Sequence, residues 1–369
     1  MKWKANEDPY EWWFASITAI ASGKKKKIKA QIHEAKDIYY IEETAFKEMD
    51  FLTKKDQECL ANAQTDHKFM KEWEKMKEQG IWMCLYEEKV YPEKLKQLSD
   101  CPYALFGKGS LPQPELTSVA IVGARHCTKY GELYAASFGE RLAEAGVQVI
   151  SGLARGIDGA GHRGALEGGG KTYAVLGCGV DVCYPREHIG LYVDLLEHGG
   201  GILSELPPGT QPMAYHFPMR NRIISGLSDC VLVMEAKEKS GSLITADMAL
   251  EQGRDVWALP GPVNSELSKG CHQLIRQGAG ILISPELFLE DLNLEGMIFR
   301  EKREENEKVL EREENMVYSS VGLYPKSVDQ LIEENQLSAP EVLRILTELE
   351  IRGDIEQVSK NYYVRSKLN

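Results

Sequence analysis

Residues 118–292 alternate short apolar runs with segments of helical character, and this alternation constrains the fold more than any other feature of the 369-residue chain. The apolar runs are SVAIVG at 118–123, VQVISGL at 147–153, KTYAVLGC at 171–178, GGILSEL at 200–206, DCVLVMEA at 229–236, DVWALPG at 255–261 and AGILIS at 279–284. Helices are predicted between them, from about 131, from about 156, near 187–198, near 220–227, at 242–252 and near 269–277. Strands and helices of these lengths form βαβ units, which predicts a doubly wound, Rossmann-like parallel sheet covered on both faces.

Other segments flank this α/β region. The stretch from 81 to 111 has two apolar runs around a proline-punctuated helix and predicts an entry hairpin or edge strand. Four lysines at 24–27 are expected in a solvated loop. We divide the chain into a helical domain at 1–78, an extended Rossmann-like domain at 79–294, a charged linker helix or tether at 295–314, and a winged-helix domain at 315–369. In the last domain, Ser338 and Glu341 have the spacing of a capping box.

The bulk composition narrows the function classes. No window approaches the ~20 apolar residues that cross a bilayer, and the N-terminal segment mixes charge with aromatics, so we expect a cytoplasmic protein without membrane contact. The eight cysteines include no C-x-x-C pair, and their scatter indicates neither a metal site nor a disulfide framework. Of these, Cys84, Cys178, Cys230 and Cys271 lie in or beside apolar segments and are predicted to be buried.

Residues 156–172 read GIDGAGHRGALEGGGKT and resemble two phosphate-binding signatures. A P-loop requires glycine where Ala165 stands, and it joins a strand to a helix, whereas GKT ends a helix and begins a strand. The dinucleotide signature must start at the end of a strand, but Gly159, Gly161 and Gly164 lie inside the predicted helix. We therefore predict neither ATP nor NAD, and we expect these glycines to permit close helix packing.

Cations are concentrated at the carboxyl ends of the predicted strands. The net charge of the whole chain is −12, and residues 118–292 contain 14 Lys and Arg against 20 Asp and Glu. Seven of those 14 cations nevertheless fall in the strand-end loops: Arg125, Arg155, Arg186, Arg220, Arg222, Lys237 and Lys239. Glycines, serines and helix N-termini accompany them, which is typical of an anion site at the edge where open α/β sheets bind ligands.

A recognisable catalytic motif is missing from the sequence. It contains no H-E-x-x-H or G-x-S-x-G, and no carboxylate pair whose spacing identifies an acid and a base. His162 and His216 are interpreted as structural histidines. Anion binding without evident chemistry indicates a polymer that is held rather than a substrate that is turned over.

The strand-end motifs, taken in order, resemble those of the DprA/Smf DNA-processing proteins. They include IVGAR at 121–125, ISGLARGID at 150–158, AVLGCGVDVCYP at 174–185, HFPMRNRIISGLS at 216–228 and EAKEKSGSLITA at 235–246. The likeness extends upstream to YPEKLKQLSDCPYALFGKG and downstream to the winged helix. Departures occur at Gly159 and Gly161, at the REH turn after Tyr184-Pro185, and at Cys271 and His272.

The resemblance implies a cytoplasmic protein that binds single-stranded DNA and loads the recombinase RecA onto it during natural transformation and homologous recombination. It further implies a homodimer, single-strand binding protein as a competitor on DNA, no cofactor, no metal, and an N-terminal domain of the sterile-alpha-motif type. The strand-end residues and the resemblance together predict this DNA-binding set: Gly123, Ala124, Arg125, Ser151, Gly152, Arg155, Gly156, Tyr184, Arg186, Arg220, Asn221, Arg222, Lys237, Ser240, Gly241 and Ser242. Tyr184, His216 or Phe217 could stack a base.

Two alternatives stay open at this stage. One is an enzyme that acts on nucleotides, such as the phosphoribohydrolases of the lysine-decarboxylase-like fold, although their catalytic loop is not evident in KSGSLITAD. The other is an adaptor that binds proteins through the winged helix. Residues 315–369 contain six Lys and Arg against eight Asp and Glu, so we predict a protein-contact or regulatory role for this domain rather than major-groove binding.

Overall fold

The computed structural model of the protein describes residues 6–294, 312–322 and 325–366. Its main feature is a nine-stranded sheet within the first of these ranges. The strands are β1 (Trp82–Leu85), β2 (Ala104–Gly109), β3 (Ser118–Val122), β4 (Gln148–Ser151), β5 (Thr172–Val175), β6 (Gly201–Ser204), β7 (Cys230–Val233), β8 (Asp255–Ala258) and β9 (Gly280–Ile281).

The strand order is β1-β2-β6-β5-β4-β3-β7-β8-β9. Strands β3 to β9 pair in parallel, which confirms the predicted Rossmann-like sheet. The chain moves outward from β3 through β4 and β5 on one side and through β7, β8 and β9 on the other. The carboxyl ends of β3 and β7 therefore flank the switch point, where doubly wound sheets open a crevice.

Strands β1 and β2 extend the sheet in the antiparallel sense. β1 pairs with β2, and β2 pairs with β6. The segment from 81 to 111 thus forms the predicted edge of the sheet, with a short helix, α7 (Glu93–Lys96), between its two strands.

Helices cover both faces of the parallel strands. They are α8 (Lys129–Glu144), α9 (Ile157–Glu167), α10 (Ile189–Glu197), α11 (His216–Leu227), α12 (Gly241–Glu251), α13 (Lys269–Arg276) and α14 (Pro285–Asp291). Alternate residues of β3 point to opposite faces: Ile121 packs in a cluster with Phe138 of α8, and Val122 packs in a cluster with Ile223 of α11. The four cysteines predicted to be buried, Cys84, Cys178, Cys230 and Cys271, are buried in these layers.

Glycines bring α8 and α9 into close contact. A Cβ atom at Gly164 would lie 1.9 Å from the carbonyl oxygen of Ala136, and one at Gly161 would lie 3.0 Å from the Ile121 side chain. The predicted role of these glycines in close packing is confirmed. The dinucleotide-like spacing of Gly159, Gly161 and Gly164 thus comes from a helix that lies against another helix and the sheet.

Short helices fill the N-terminal region: α1 (Pro9–Ser16), α2 (Ser22–Gln31), α3 (Ala35–Tyr40), α4 (Glu43–Lys47), α5 (Lys54–Gln64) and α6 (Phe69–Glu78). Their core is continuous with one face of the sheet, since Phe14 belongs to the same hydrophobic cluster as Tyr103 and Ile202. The boundary at 78 stays a sequence prediction, because packing continues across it.

The prediction of a solvated loop at 24–27 is wrong, because these lysines belong to helix α2. The helical period turns Lys25, Ile28 and Lys29 towards the protein interior, where all three are buried. Lys25 Nζ donates to the carbonyl oxygen of Ala15 at 2.6 Å, and Lys29 is paired with Glu11. Lysine has a good helix propensity, and its long aliphatic stem packs well on apolar surfaces.

The C-terminal region has the predicted winged-helix order. Helix Arg312–Ser320 precedes helix Val328–Asn335, helix Ala339–Arg352, and a hairpin of Ile355–Ser359 with Tyr362–Arg365. The Glu341 carboxylate accepts from the N–H and the hydroxyl of Ser338, which confirms the predicted capping box. Most of the predicted linker at 295–314 lies outside the described residues.

The chain divides into two compact units at about residue 298. The first contains the sheet and the N-terminal helices, and the second contains the winged helix. Among the described residues, no helix is both long and apolar enough to span a membrane.

Candidate functional site

A cavity of about 670 Å³ opens at the switch point of the sheet. Loops that follow β3, β4, β7 and β8 surround it, together with the first turns of α11 and α12. The residues that line it are Val122, Gly123, Ala124, Arg125, His126, Ala154, Asp158, Ala214, Phe217, Pro218, Arg220, Asn221, Ile224, Lys237, Ser240, Gly241, Ser242, Thr245, Ser265, Glu266 and Leu267.

Two backbone loops touch each other along one wall of this cavity. The Ile157 N–H donates to the carbonyl oxygen of Ala124 at 3.2 Å. Gly156 has a φ of +69°, and a Cβ atom there would lie 2.3 Å from the same oxygen. A residue without a side chain is therefore needed at 156, where the loop after β4 approaches the loop after β3.

An arginine and two aromatic rings form a row at the mouth of the cavity. The Arg125 guanidinium lies 5.2 Å from the centre of the Phe217 ring, and the Phe217 and Tyr184 ring centres are 5.6 Å apart. Tyr184 is 39% exposed. This row presents a cation and a ring face side by side, which suits a phosphate and its neighbouring base.

Arg220 supplies positive charge from inside the wall. It is buried, and its Nη1 donates to the carbonyl oxygens of Gly152, at 2.9 Å, and of Val175. Burial lowers the pKa of Arg220 to about 10, despite the opposing field of Asp158. The guanidinium therefore stays protonated at neutral pH. It holds the loop after β4 in place while lining the cavity.

Asp158 is the carboxylate beside Arg220. One of its oxygens accepts from the Gly152 N–H at 3.1 Å. Burial raises the pKa of Asp158, while Arg220 and the hydrogen bonds from the backbone of Ala154 and Gly152 oppose the rise. Because its hydrogen bonds go to the backbone, Asp158 stabilises the loop.

The opposite wall is the loop from β7 into α12. Lys237 is exposed on it, and the hydroxyls of Ser240 and Ser242 lie 2.8 Å apart. Asn221 Nδ2 donates to the Gly241 carbonyl at 3.3 Å, which ties α11 to the start of α12. A helix N-terminus with a lysine and hydroxyl groups favours an anion at this wall.

The structure separates fifteen of the sixteen predicted DNA-binding residues into three groups. The residues that line the cavity are Gly123, Ala124, Arg125, Arg220, Asn221, Lys237, Ser240, Gly241 and Ser242. Exposed residues on the neighbouring loops after β4 and β5 are Arg155, Tyr184 and Arg186. Ser151, Gly152 and Gly156 support the loop after β4: Ser151 Oγ, for example, donates to the Ile121 carbonyl at 2.5 Å.

Arg222 is the remaining predicted residue, and its side chain neither lines the cavity nor lies on the loops beside it. Its guanidinium is paired with Asp100 at 2.8 Å and with Glu205 at 2.6 Å. Two positions along a helix turn a side chain by about 200°, so Arg222 points away from the direction of Arg220. These two carboxylates compensate the charge of Arg222.

Sequence reasoning missed part of the lining. Ser265, Glu266 and Leu267 come from the loop after β8, PGPVNSELSKG, which also follows the carboxyl end of a strand. That loop holds Lys269 and Glu266 as an ion pair. Its position after a strand is the signal that would have identified the loop after β8, if every strand end had been considered rather than only the ends rich in Lys and Arg.

His162 is structural, as predicted. Its Nδ1 lies 2.6 Å from Thr172 Oγ1, and the ring is fully buried. Burial, with nearby positive charge, lowers the pKa of His162 to about 3. Thr172, the last letter of the GKT triplet, starts β5 and donates to the Val149 carbonyl at 2.8 Å, so it is not a phosphate ligand of a P-loop.

The fold and the cavity define a class of protein: a Rossmann-ordered α/β protein with a cationic, amide-rich site at its switch point and a winged helix after it. Models of two domains match this chain, namely DNA recombination-mediator protein A at residues 82–293 and the DprA winged helix domain at residues 301–360. The chain therefore belongs to the DprA/Smf family.

Individual relatives agree with this assignment. Protein Smf of Escherichia coli is 43% identical over 282 residues, which is 75% of each chain. The DNA processing protein DprA of Streptococcus pneumoniae is 47% identical over 194 residues, which cover 53% of this chain and 68% of that protein.

Solved structures show the same fold. The X-ray structure of DprA from Streptococcus pneumoniae matches with a TM-score of 0.57 and 34% identity, over 79% of this chain and 99% of that one. A structure of DNA processing protein A from Helicobacter pylori, described for its single-stranded DNA binding mode, matches with a TM-score of 0.52 and 28% identity. That match covers 57% of this chain and 95% of the other.

Proposed function

We propose that this chain binds single-stranded DNA in the switch-point cavity, as a DNA-processing protein that acts in transformation and homologous recombination. The observation that carries the proposal is the convergence of Arg125, Lys237 and the N-terminus of α12 on one cavity of an otherwise acidic protein. The single-stranded DNA binding mode described for the Helicobacter pylori relative supports the choice of ligand.

The row of Arg125, Phe217 and Tyr184 favours a single strand over a duplex. A guanidinium and backbone N–H groups hold phosphates without reading bases. An aromatic face adds about 1–3 kcal/mol for each stacked base, and base faces are free only when the strand is unpaired. Sequence-independent binding of an extended strand follows from this chemistry.

Arg125→Glu tests the site. We expect the substitution to abolish binding to oligo-dT, measured by fluorescence anisotropy, while thermal melting shows a folded protein. Lys171→Glu is the matched control, because it makes the same charge change just before β5, at the amino edge of the sheet, and should leave binding intact. For the unsubstituted protein, log affinity should fall with log salt by about 0.7 for each phosphate contacted.

Binding that survives Arg125→Glu and is flat in salt would contradict this assignment. A gel shift that compares single-stranded with duplex DNA adds an independent check. Preference for the duplex would move the site away from the cavity and towards the winged helix.

We further propose that the protein is a cytoplasmic homodimer that loads RecA onto the bound strand in competition with single-strand binding protein. Family membership is the support for this step. RecA filament assembly on DNA that is already coated with single-strand binding protein should become faster when the chain is added, and Arg125→Glu should remove the effect. Light scattering after gel filtration should give twice the 41.4 kDa mass of the chain.

The proposed role has no catalytic step. Two buried carboxylates at this edge are engaged in holding loops: Glu235 accepts from the Thr128 N–H at 2.8 Å and from its hydroxyl at 2.6 Å, and Asp158 accepts from backbone N–H groups. Release of a free base from nucleoside monophosphates would instead support the phosphoribohydrolase alternative.

A further inference from the structure

Arg155 and Glu187 form an ion pair beside the cavity. Arg155 follows β4, and Glu187 lies in the 3-10 turn Arg186–His188 that follows β5. Arg155 Nε and Nη2 each donate to a different oxygen of the Glu187 carboxylate, with the Nη2 contact at 2.7 Å. Both side chains are about half exposed, at 47% and 53%.

This pair joins the loop after β4, which contributes to the cavity, to the neighbouring loop after β5. Arg155 lies between Ala154, which lines the cavity, and Gly156, which touches the loop of Arg125. Glu187 belongs to the loop of Tyr184, whose ring continues the row that starts at Arg125. A strand that leaves the cavity along the exposed Tyr184 side chain would therefore meet the Arg155 guanidinium.

The geometry of the pair is the one that a phosphate would take. A guanidinium binds carboxylates and phosphates through the same two parallel N–H donors, so the two anions compete for one side chain. Exposed ion pairs contribute little stability and can therefore be exchanged.

We propose that Glu187 occupies the phosphate-binding face of Arg155 in the free protein and is displaced by a phosphate of the DNA. This inference rests on the proposed function and adds a residue that sets its affinity. Glu187 acts as an internal competitor: it holds Arg155 in position before DNA arrives, and its negative charge lowers the affinity of the complex.

Glu187→Gln tests the exchange. The variant should bind oligo-dT more tightly in low salt, by up to about fivefold, since a neutral amide competes weakly for Arg155 and no longer repels the strand. The dependence of log affinity on log salt should steepen by up to about 0.7, the value of one phosphate contact, because the displaced Glu187 charge no longer offsets the contact that Arg155 makes. In an Arg155→Gln background, Glu187→Gln should gain less than twofold, because the competed donor is gone.

Glu144→Gln is the matched control. Glu144 forms an ion pair with Arg141 near the end of α8, at the amino edge of the sheet, and its loss should change neither affinity nor salt dependence. Thermal melting of each variant checks that the fold is retained.

Equal or weaker binding by Glu187→Gln, with an unchanged salt dependence, would overturn the inference and leave Glu187 as a residue that only positions Arg155. That failure is distinguishable from failure of the proposed function. In the first case the unsubstituted chain binds oligo-dT and Arg125→Glu does not. In the second case neither protein binds, or Arg125→Glu binds as well as the unsubstituted chain does.

Discussion

We expect His162 to make the stability of the protein depend on pH. Its ring is fully buried beside Thr172, and burial lowers its pKa from the ordinary value of 6.5 to about 3. Above pH 6.5 the ring is neutral in both the folded and the unfolded chain. As the pH falls from 6.5 towards 3, the unfolded chain binds a proton that the folded chain does not bind, so stability is lost.

His162→Asn should therefore flatten the dependence of stability on pH. The amide places a polar atom near the position of Nδ1 but does not titrate. Between pH 6.5 and pH 4 we expect the unfolding free energy of the unsubstituted protein to fall more steeply than that of the variant, by about 1.4 kcal/mol per pH unit. Urea unfolding at several pH values measures both curves. Parallel curves would show that His162 is protonated in the folded state.

For single residues, the sequence predicted which charged side chains lie at the site better than it predicted which residues they pair with. Arg125 and Lys237 could be placed at the site because each follows a strand, and strand ends share one edge of a parallel sheet. The same rule could not show that Arg155 is held by Glu187. That pairing depends on how two loops lie against each other, which no local pattern records.

Helix α11 shows that the span of a helix is easier to predict than the direction in which each of its side chains points. The sequence placed a helix near 220–227, and the structure has His216–Leu227. Arg220 lines the cavity, whereas Arg222 pairs with Asp100 and Glu205. The rotation of the helix about its axis is fixed by its packing on β3 and β4, so the pattern RNR alone could not separate the two arginines. The lysines of α2 were misplaced for a similar reason, since their burial depends on Glu11 and on the carbonyl of Ala15.

The contact between α8 and α9 gives a test at the scale of elements. Gly164→Ala would place a Cβ atom 1.9 Å from the Ala136 carbonyl oxygen, so the two helices would have to move apart. Such overpacking should lower the unfolding free energy by about 1–3 kcal/mol or more. Urea unfolding followed by circular dichroism measures the loss.

Gly190→Ala is the control for Gly164→Ala. Gly190 lies in α10, and a Cβ atom there would meet no atom within 4 Å. Alanine should raise the unfolding free energy by up to about 1 kcal/mol, because it reduces the freedom of the unfolded chain. If both substitutions had the same effect, the close approach of α8 and α9 would not be the reason for glycine at 164.

The whole molecule combines an acidic surface with a local cationic site. Its net charge of −12 repels polyphosphate at a distance, but ionic screening limits that repulsion to roughly 10 Å at 0.1 M salt. Contacts made inside the cavity are therefore expected to decide the affinity for DNA.

The class of sheet could be predicted from the alternating pattern. Seven apolar runs separated by helices permit few sheets other than a doubly wound parallel one.

We expect the winged helix to contribute differently from the sheet. On helix Ala339–Arg352, Arg344 pairs with Glu348, and Arg352 pairs with Glu314, so these cations are compensated by acids. Leu343 and Ile351 are exposed on the same helix, Ile351 by 81%. An acidic helix with exposed apolar side chains suits a protein partner better than the phosphates of a major groove.

Deletion of residues 315–369 tests that division of roles. All residues that line the cavity belong to the first compact unit, and the deletion changes the net charge by only two. We therefore expect the truncated chain to bind oligo-dT within about twofold of the full chain, with the same salt dependence, because the number of phosphate contacts is unchanged. Anisotropy titrations of both chains over a range of salt concentrations make the comparison. A loss of affinity above tenfold with a shallower salt dependence would assign phosphate contacts to the winged-helix domain. Because helix Ala339–Arg352 is acidic, those contacts would then have to come from the hairpin of Ile355–Ser359 with Tyr362–Arg365.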